Sequence, residues 1–300
     1  MTSVATRRWI RWTAAALLLA FGAAADARAD NVVYATADNG SNFLFGTMDL
    51  TTGQFTQVAT TTPLFGSLTA GPGSTLYGGA ANLNLNLYTI SPSGATSQFG
   101  TVTAPSSAPS LANGFLGLAS EGSAGFFADF STGLNPTPLT YTLEHISADG
   151  TSSSVVGTMG TSFGSFNSGN MTFGPDGNLY MNAWNTSDVA TLYEVNTTTG
   201  AATAIGSGLG SADPLALVSV GTTLYGIDTF ETSNPSIYTI DTTTGVATQI
   251  GTVSGLSAGY TLDTMAGSVP EPSTITLLGT SALVILVYSR YVRRGSSRRS

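Results

Sequence analysis

The sequence predicts an all-β protein, a β-propeller of five four-stranded blades closed between its first and last strands. Three observations predict it. A turn ending in glycine recurs five times, each copy is flanked by two further strand-like segments, and the composition is that of strands and turns. The 300 residues include 36 Gly and 12 Pro, no Cys, and only 9% charged side chains. Thr, Ser, Asn and Val are abundant, which suits half-buried strands joined by tight turns. Hydrophobic residues make up 42% and aromatics 9%, enough for a core and too many for a disordered chain.

The clearest copies are IYTIDTTTGVATQIGTV, from Ile237, and LYEVNTTTGAATAIGSG, from Leu192. Looser copies are LYTISPSGATSQFGTV, YTLEHISADGTSSSVVGTM and LFGTMDLTTGQFTQVAT. Their turn glycines are Gly53, Gly94, Gly150, Gly200 and Gly245. A strand-like piece precedes each copy: VVYATAD, LYGGAAN, FFADFS, LYMNAWN and LYGIDTF. Another follows: SLTAGPGS, FLGLASEGS, MTFGPDGN, LALVSVGT and YTLDTMAG. Apolar and small polar residues alternate within these pieces, as in half-buried strands. Sharing residues 30–268 among five units gives about 48 residues each, the length of four strands with their turns. Seven units would leave about 34, too few for four strands. A β-sandwich or an open solenoid is the competing architecture. The repeat period argues against the first and the rung length against the second.

The stretch MTFGPDGNLYMNAW resembles the NHL-type repeat, in which a strand, an Asp-Gly turn and the next strand form the two inner positions of a blade. The resemblance implies that MTF is innermost. The chain then enters the ring with a second strand at Val32 and leaves it with a first strand at Tyr260. The last segment completes the blade that the first began, a closure that removes free sheet edges.

Charge is distributed unevenly. All nine basic residues are Arg, at positions 7, 8, 11 and 28 and again at 290, 293, 294, 298 and 299. Residues 30–268 contain fifteen acidic side chains and no Lys or Arg. Such a body repels nucleic acid, whose phosphates need cationic side chains. An acidic surface favours solubility and attracts cations such as calcium.

The two ends read as targeting devices. At the front, a basic stretch precedes an apolar run from Thr13 to Ala25, followed by Ala27-Arg28-Ala29. That is the order of a secretory signal peptide, residues 1–29, cut after Ala29. The run is shorter than the ~20 residues that span a bilayer. TRRWIRW is similar to a twin-arginine signal, but Arg11 breaks the pattern. At the back, Val269-Pro270-Glu271-Pro272 opens a rigid segment, residues 269–274. An apolar stretch at 275–289, expected to be a short transmembrane helix, separates it from the Arg-rich residues 290–300. The positive-inside rule places Arg290, Arg293 and Arg294 in the cytoplasm and everything before the span outside.

This order resembles the PEP-CTERM sorting signal of Gram-negative bacteria, with Pro270, Glu271 and Pro272 matching its motif residue for residue. The match covers about 30 residues at the extreme C-terminus. The resemblance implies processing by an exosortase, a transient anchor in the inner membrane, release to the cell surface or extracellular space, and an association with exopolysaccharide or biofilm matrix.

The body is poorly equipped for catalysis. There is no Cys, and the single histidine, His145, lies beside Glu144 on a strand running into an Asp-Gly turn. A Ser-His-Asp site would have to use it as the base; an ordinary solvated strand histidine is the simpler reading. Zinc-type ligand sets are absent, as is a D-x-D-x-D-G calcium loop, so no metal or cofactor is expected. GSGLG at 206–210 has no basic partner and reads as a loop. Paired carboxylates remain as the catalytic option. Asp38, Asp129 and Asp228 lie at or near the ends of equivalent second strands, facing one rim, but do not share one aligned position. Solvated turn aspartates are the plain alternative. Tyr77, Tyr180 and Tyr225 repeat at one blade position, as core residues do. Trp184 stands where other blades have Asp38, Ala81 and Thr229, and its ring is suited to stacking on a sugar.

The sequence therefore points to an exported, non-enzymatic binding or structural module. The alternative is a carboxylate-dependent hydrolase of extracellular glycans.

Overall fold

A computed structural model describes residues 31–81, 84–103, 115–131, 139–163, 170–210, 212, 214–228 and 234–268. The expected leader, sorting motif, membrane span and Arg-rich tail lie outside these residues. Among the described residues, no helix is long and apolar enough to cross a membrane.

Among the described residues, twenty strands form five antiparallel sheets. Strands β1 (Val32–Asp38), β2 (Phe43–Asp49) and β3 (Phe55–Thr61) supply three strands of the closing blade. The first blade holds β4 (Ser67–Ala70), β5 (Leu76–Ala81), β6 (Asn84–Ile90) and β7 (Thr96–Thr103). The second holds β8 (Phe115–Ser120), β9 (Gly125–Ser131), β10 (Leu139–Ser147) and β11 (Ser153–Phe163). The third holds β12 (Met171–Phe173), β13 (Leu179–Trp184), β14 (Ala190–Val195) and β15 (Ala202–Ile205). The fourth holds β16 (Pro214–Val220), β17 (Thr223–Asp228), β18 (Ser236–Ile240) and β19 (Ala247–Thr252). Finally β20 (Thr261–Ser268) pairs with β1, in the order β20-β1-β2-β3. The expected blade number, strand order and closure are all present, and the last strand starts one residue after the expected Tyr260.

The inner strands touch in the order β4, β8, β12, β16, β20 and back to β4, which makes a ring. Its closing ladder runs from Val33 opposite Ser268 to Asp38 opposite Thr261. Side-chain hydroxyls stitch neighbouring inner strands: the Leu68 amide donates to Thr264 Oγ1 (3.0 Å) and the Leu118 amide to Ser67 Oγ (2.9 Å). These bonds satisfy edge amides that would otherwise face the axis unpaired. Asn170 Nδ2 donates to Thr264 Oγ1 (3.0 Å), from the third blade across the axis to the closing blade.

Five apolar clusters separate the five pairs of adjacent blades. Each takes one aromatic from the same row of a second strand. Tyr34, Tyr77, Phe127, Tyr180 and Tyr225 stand opposite Ala266, Thr69, Ala119, Thr172 and Val218. The repeating tyrosine is thus an interblade core residue, as its spacing suggested.

The outer hairpins explain the glycine motif. In the tightest turns a carboxylate or amide oxygen accepts two backbone amides: Asp49 Oδ1 from Thr51 and Thr52 (2.8 and 3.1 Å), Asn196 Oδ1 from Thr198 and Thr199 (both 2.9 Å), Asp241 Oδ1 from Thr243 and Thr244 (2.7 and 3.1 Å). Side chains of this type favour such turns because they replace a backbone acceptor. The glycine that follows abuts the outer strand of the preceding blade. A Cβ at Gly53, Gly94, Gly150, Gly200 or Gly245 would meet Thr252, Ala59, Gly100, Gly157 or Ile205 respectively. The motif therefore records blade-to-blade packing as well as a turn.

Candidate functional site

The meander topology sorts the connections. Turns between first and second strands, and between third and fourth, lie on one face, here the lower. Second strands end at the upper face. All four sequence-predicted positions, Asp38, Asp129, Trp184 and Asp228, lie in the upper half, on second strands of four different blades.

They do not share a row. Asp129 stands opposite Gly117, level with Thr36 opposite Thr264. Asp228, opposite Pro214, is one residue further out. Asp38 and Trp184 end their strands, two residues further out than Asp129. The plain reading of these acids as solvated turn residues is overturned for two of them. Asp129 is 0% exposed and Asp228 8%. Strand β9 runs on to Ser131, so Asp129 lies inside the sheet rather than at its tip.

Burial pushes the Asp129 carboxyl well above the ordinary carboxylate range. The amides of Gly117 and of Asp129 itself oppose this, but neither reaches hydrogen-bonding geometry, and both carboxyl oxygens lack a partner. A carboxyl in such a place is held neutral. Burial, and then the nearby Asp129, raise the hydroxyl of Tyr141. Glu144 is likewise buried, with its pKa raised mainly by burial and pulled down less by a hydrogen bond from Ser153.

Asp38 is partly buried and meets a carboxyl that the sequence did not flag. Asp263 lies in an irregularity of β20, where Leu262 and Thr264 face the consecutive residues Ala37 and Thr36 and leave Asp263 as the extra residue. Burial pushes its pKa up to about 9, assisted by a side-chain hydrogen bond with Asp38 and by that group's charge. Burial beside a second carboxyl thus holds Asp263 neutral near pH 7.

His145 lies on β10, in the second blade. Its Nε2 lies 3.1 Å from Glu121 Oε2, and its ring packs edge-on to Phe127 (centroids 5.1 Å apart). Glu144, its neighbour in sequence, faces the opposite side of β10. Trp184 is half-buried against the apolar cluster between the third and fourth blades. The GSGLG segment is a connection from β15 towards β16, anchored by Leu209, whose amide donates to Ala190 O (2.8 Å). Among the described residues, no three His, Cys, Asp or Glu side chains gather as a metal-ligand group. The lower face carries Asp49, Glu121, Asp149, Asp176 and Asp241 on its turns. Surface concavities form on outer hairpins, one around Thr239, Asp241 and Val246, away from the carboxyl pair.

These observations define a closed five-bladed β-propeller with neutral acids in its upper half. No protein-family model and no curated protein matches the chain. Among solved structures it is similar to TolB from Acinetobacter baumannii, at 12% identity and a TM-score of 0.45, over 74% of this chain and 53% of TolB. The chain thus spans about half the length of TolB. It is also similar to a structure titled as a 6-phosphogluconolactonase from Bacteroides fragilis (12% identity, TM-score 0.44, covering 80% of this chain and 97% of that one). A third is the periplasmic gluconolactonase of Pseudomonas aeruginosa (17% identity, TM-score 0.42, covering 76% and 69%). Likeness at this level carries no argument about ligand or chemistry.

Proposed function

We propose that the propeller is an exported cell-surface or extracellular-matrix module that binds or scaffolds rather than catalyses, delivered by its C-terminal sorting signal. The observation that carries this reading is the disposition of the acids. Asp38, Asp129 and Asp228 sit on three blades in three successive rows, with Asp129 sealed from solvent. That placement offers no pair of carboxylates facing across an open cleft. An all-acidic body suits an extracellular surface, and Trp184 at the upper rim supplies an aromatic face for a sugar.

One observation favours the hydrolase reading: Asp263, whose pKa burial pushes up to about 9, lies beside a second carboxyl, that of Asp38, and paired carboxyls are what acid–base catalysis uses. Their direct contact is closer than the ~5–5.5 Å separation that a retaining glycosidase needs, which favours the non-enzymatic reading.

The test uses a panel of acidic and neutral exopolysaccharides with wild-type protein, Trp184→Ala, and the triple variant Asp38→Asn/Asp129→Asn/Asp228→Asn. Retention on a glycan without release of reducing ends, weakened by Trp184→Ala, supports the binding module. Reducing ends that appear with wild type and vanish with the triple variant would establish the hydrolase instead.

A further inference from the structure

We propose that the upper mouth of the ring, between Asp38 and Asp263, is a site for one hard divalent cation of the calcium class.

Several oxygens near the closing strands are buried without a partner. Asp263 Oδ2, Thr36 Oγ1 and Asn170 Oδ1 are all buried without a hydrogen bond. Thr36 is 2% exposed and Asn170 5%. Register and hydrogen bonding place all three around Thr264. Thr36 and Asp38 are two residues apart on β1, so they project from the same face. Thr36 stands opposite Thr264, the neighbour of Asp263. Asn170 is held there by its other end, since its Nδ2 donates to Thr264 Oγ1. Buried polar atoms are almost always satisfied in native proteins, by protein, water or an ion. The orphaned Thr36 and Asn170 oxygens, beside the Asp38 and Asp263 carboxyls, make an all-oxygen seat.

Charge narrows the occupant. No Lys or Arg occurs between Arg28 and Arg290. Of the elements packed on β20, β1 contributes Tyr34 and Asp38 as titratable groups, and β4 and β16 contribute none. His145 lies on β10, engaged with Glu121. Among the described residues, no Lys or Arg side chain is therefore available to neutralise the pair. The donors are two carboxylates, a hydroxyl and an amide oxygen. An all-oxygen set suits calcium, which takes 6–8 oxygens, water among them; softer metals select nitrogen or sulfur.

The site also has a structural consequence. Asp38 belongs to β1 and Asp263 to β20, the two strands whose pairing closes the ring. A cation held by both binds only the closed form, and so stabilises it by mass action. Carboxylate ligands must be deprotonated to hold a metal, so its affinity falls in acid.

The test is calorimetric titration of the full chain with calcium chloride after chelator treatment, near pH 8 and near pH 5, with thermal melting in parallel. The expected result near pH 8 is one saturable site per chain and a raised Tm, with binding weaker by about tenfold or more near pH 5. Asp263→Asn keeps the shape and removes the charge. It should weaken calcium binding about 10–100-fold and abolish the Tm gain, while melting no lower than wild type in chelator near pH 8. Asp38→Asn should behave alike, and Asp241→Asn, on the opposite face, should bind as wild type does. Absence of saturable binding up to about 10 mM calcium, beyond the range of extracellular calcium modules, overturns the proposal. So does wild-type affinity in Asp263→Asn, or an equal loss in Asp241→Asn, which would reveal diffuse attraction to acidic turns.

Discussion

Replacing Gly53 by Ala tests the claim that the turn glycines record blade-to-blade packing. Gly53 has φ +73° and Gly73 has φ +65°. Each is a left-handed position where an L-residue costs about 1–2 kcal/mol. The two differ in surroundings. A Cβ on Gly73 meets nothing within 4 Å, whereas one on Gly53 overlaps the carbonyl of Thr252 in the preceding blade. The hairpin cannot retreat without stretching two interblade bonds, from the Ser254 amide to Gly53 O (2.7 Å) and from the Phe55 amide to Ser254 O (2.8 Å). Each such bond contributes about 0.5–1.5 kcal/mol. Gly53→Ala should therefore destabilise by about 2–5 kcal/mol and Gly73→Ala by about 1–2 kcal/mol. Urea unfolding followed by Trp184 fluorescence measures both, with an unchanged m-value showing that the same surface is exposed. Equal losses at the two positions would refute the packing argument and leave only the turn conformation.

The neutral acids predict a pH dependence. The native pKa of Asp263 and Asp129 lies above the unfolded value, so the folded state binds more protons. The stability they contribute is full below about pH 4 and is lost as pH rises through the native values, at up to about 1.4 kcal/mol per pH unit for each group. Urea midpoints in chelator should fall between pH 5 and pH 8; a flat or rising profile contradicts the assignment. Asp129→Asn should raise the midpoint near pH 8 and leave it unchanged near pH 4, and an equal shift at both would mean the carboxyl is not titrating on unfolding. Ending the body before Thr261 removes β20 with buried Leu262, Met265 and Ala266, and should abolish cooperative unfolding. A truncated chain with the wild-type midpoint would show that the ring does not depend on this closure.

The fold was legible because its turns repeat. The Asp-or-Asn, Thr, Thr, Gly signature marks every outer hairpin loosely and three of them closely, and the second-strand tyrosines keep the blades in phase. The site was legible only in part. Asp38 was visible at a strand end, but its partner Asp263 occupies an irregular position in β20 that has no copy in a repeat. Asp129 looked like a tip residue because the sequence does not reveal that β9 continues past it. Thr36 and Asn170 carried no signal at all. In a chain so rich in Thr and Asn, a buried unpartnered one looks the same as a solvated one until the strands are paired. Interblade burial, which holds Asp129 and Asp263 neutral, depends on which faces meet across the ring.

The proposed function requires the ring, which has no cationic side chains, to act beyond the inner membrane. Fractionation of the producing cell, with intact mass measured on the chain recovered from each compartment, tests this most directly. The predicted result is an extracytoplasmic polypeptide that begins near Asp30 and has lost the arginines from Arg290 onward. A full-length polypeptide found only in the cytosol would contradict it.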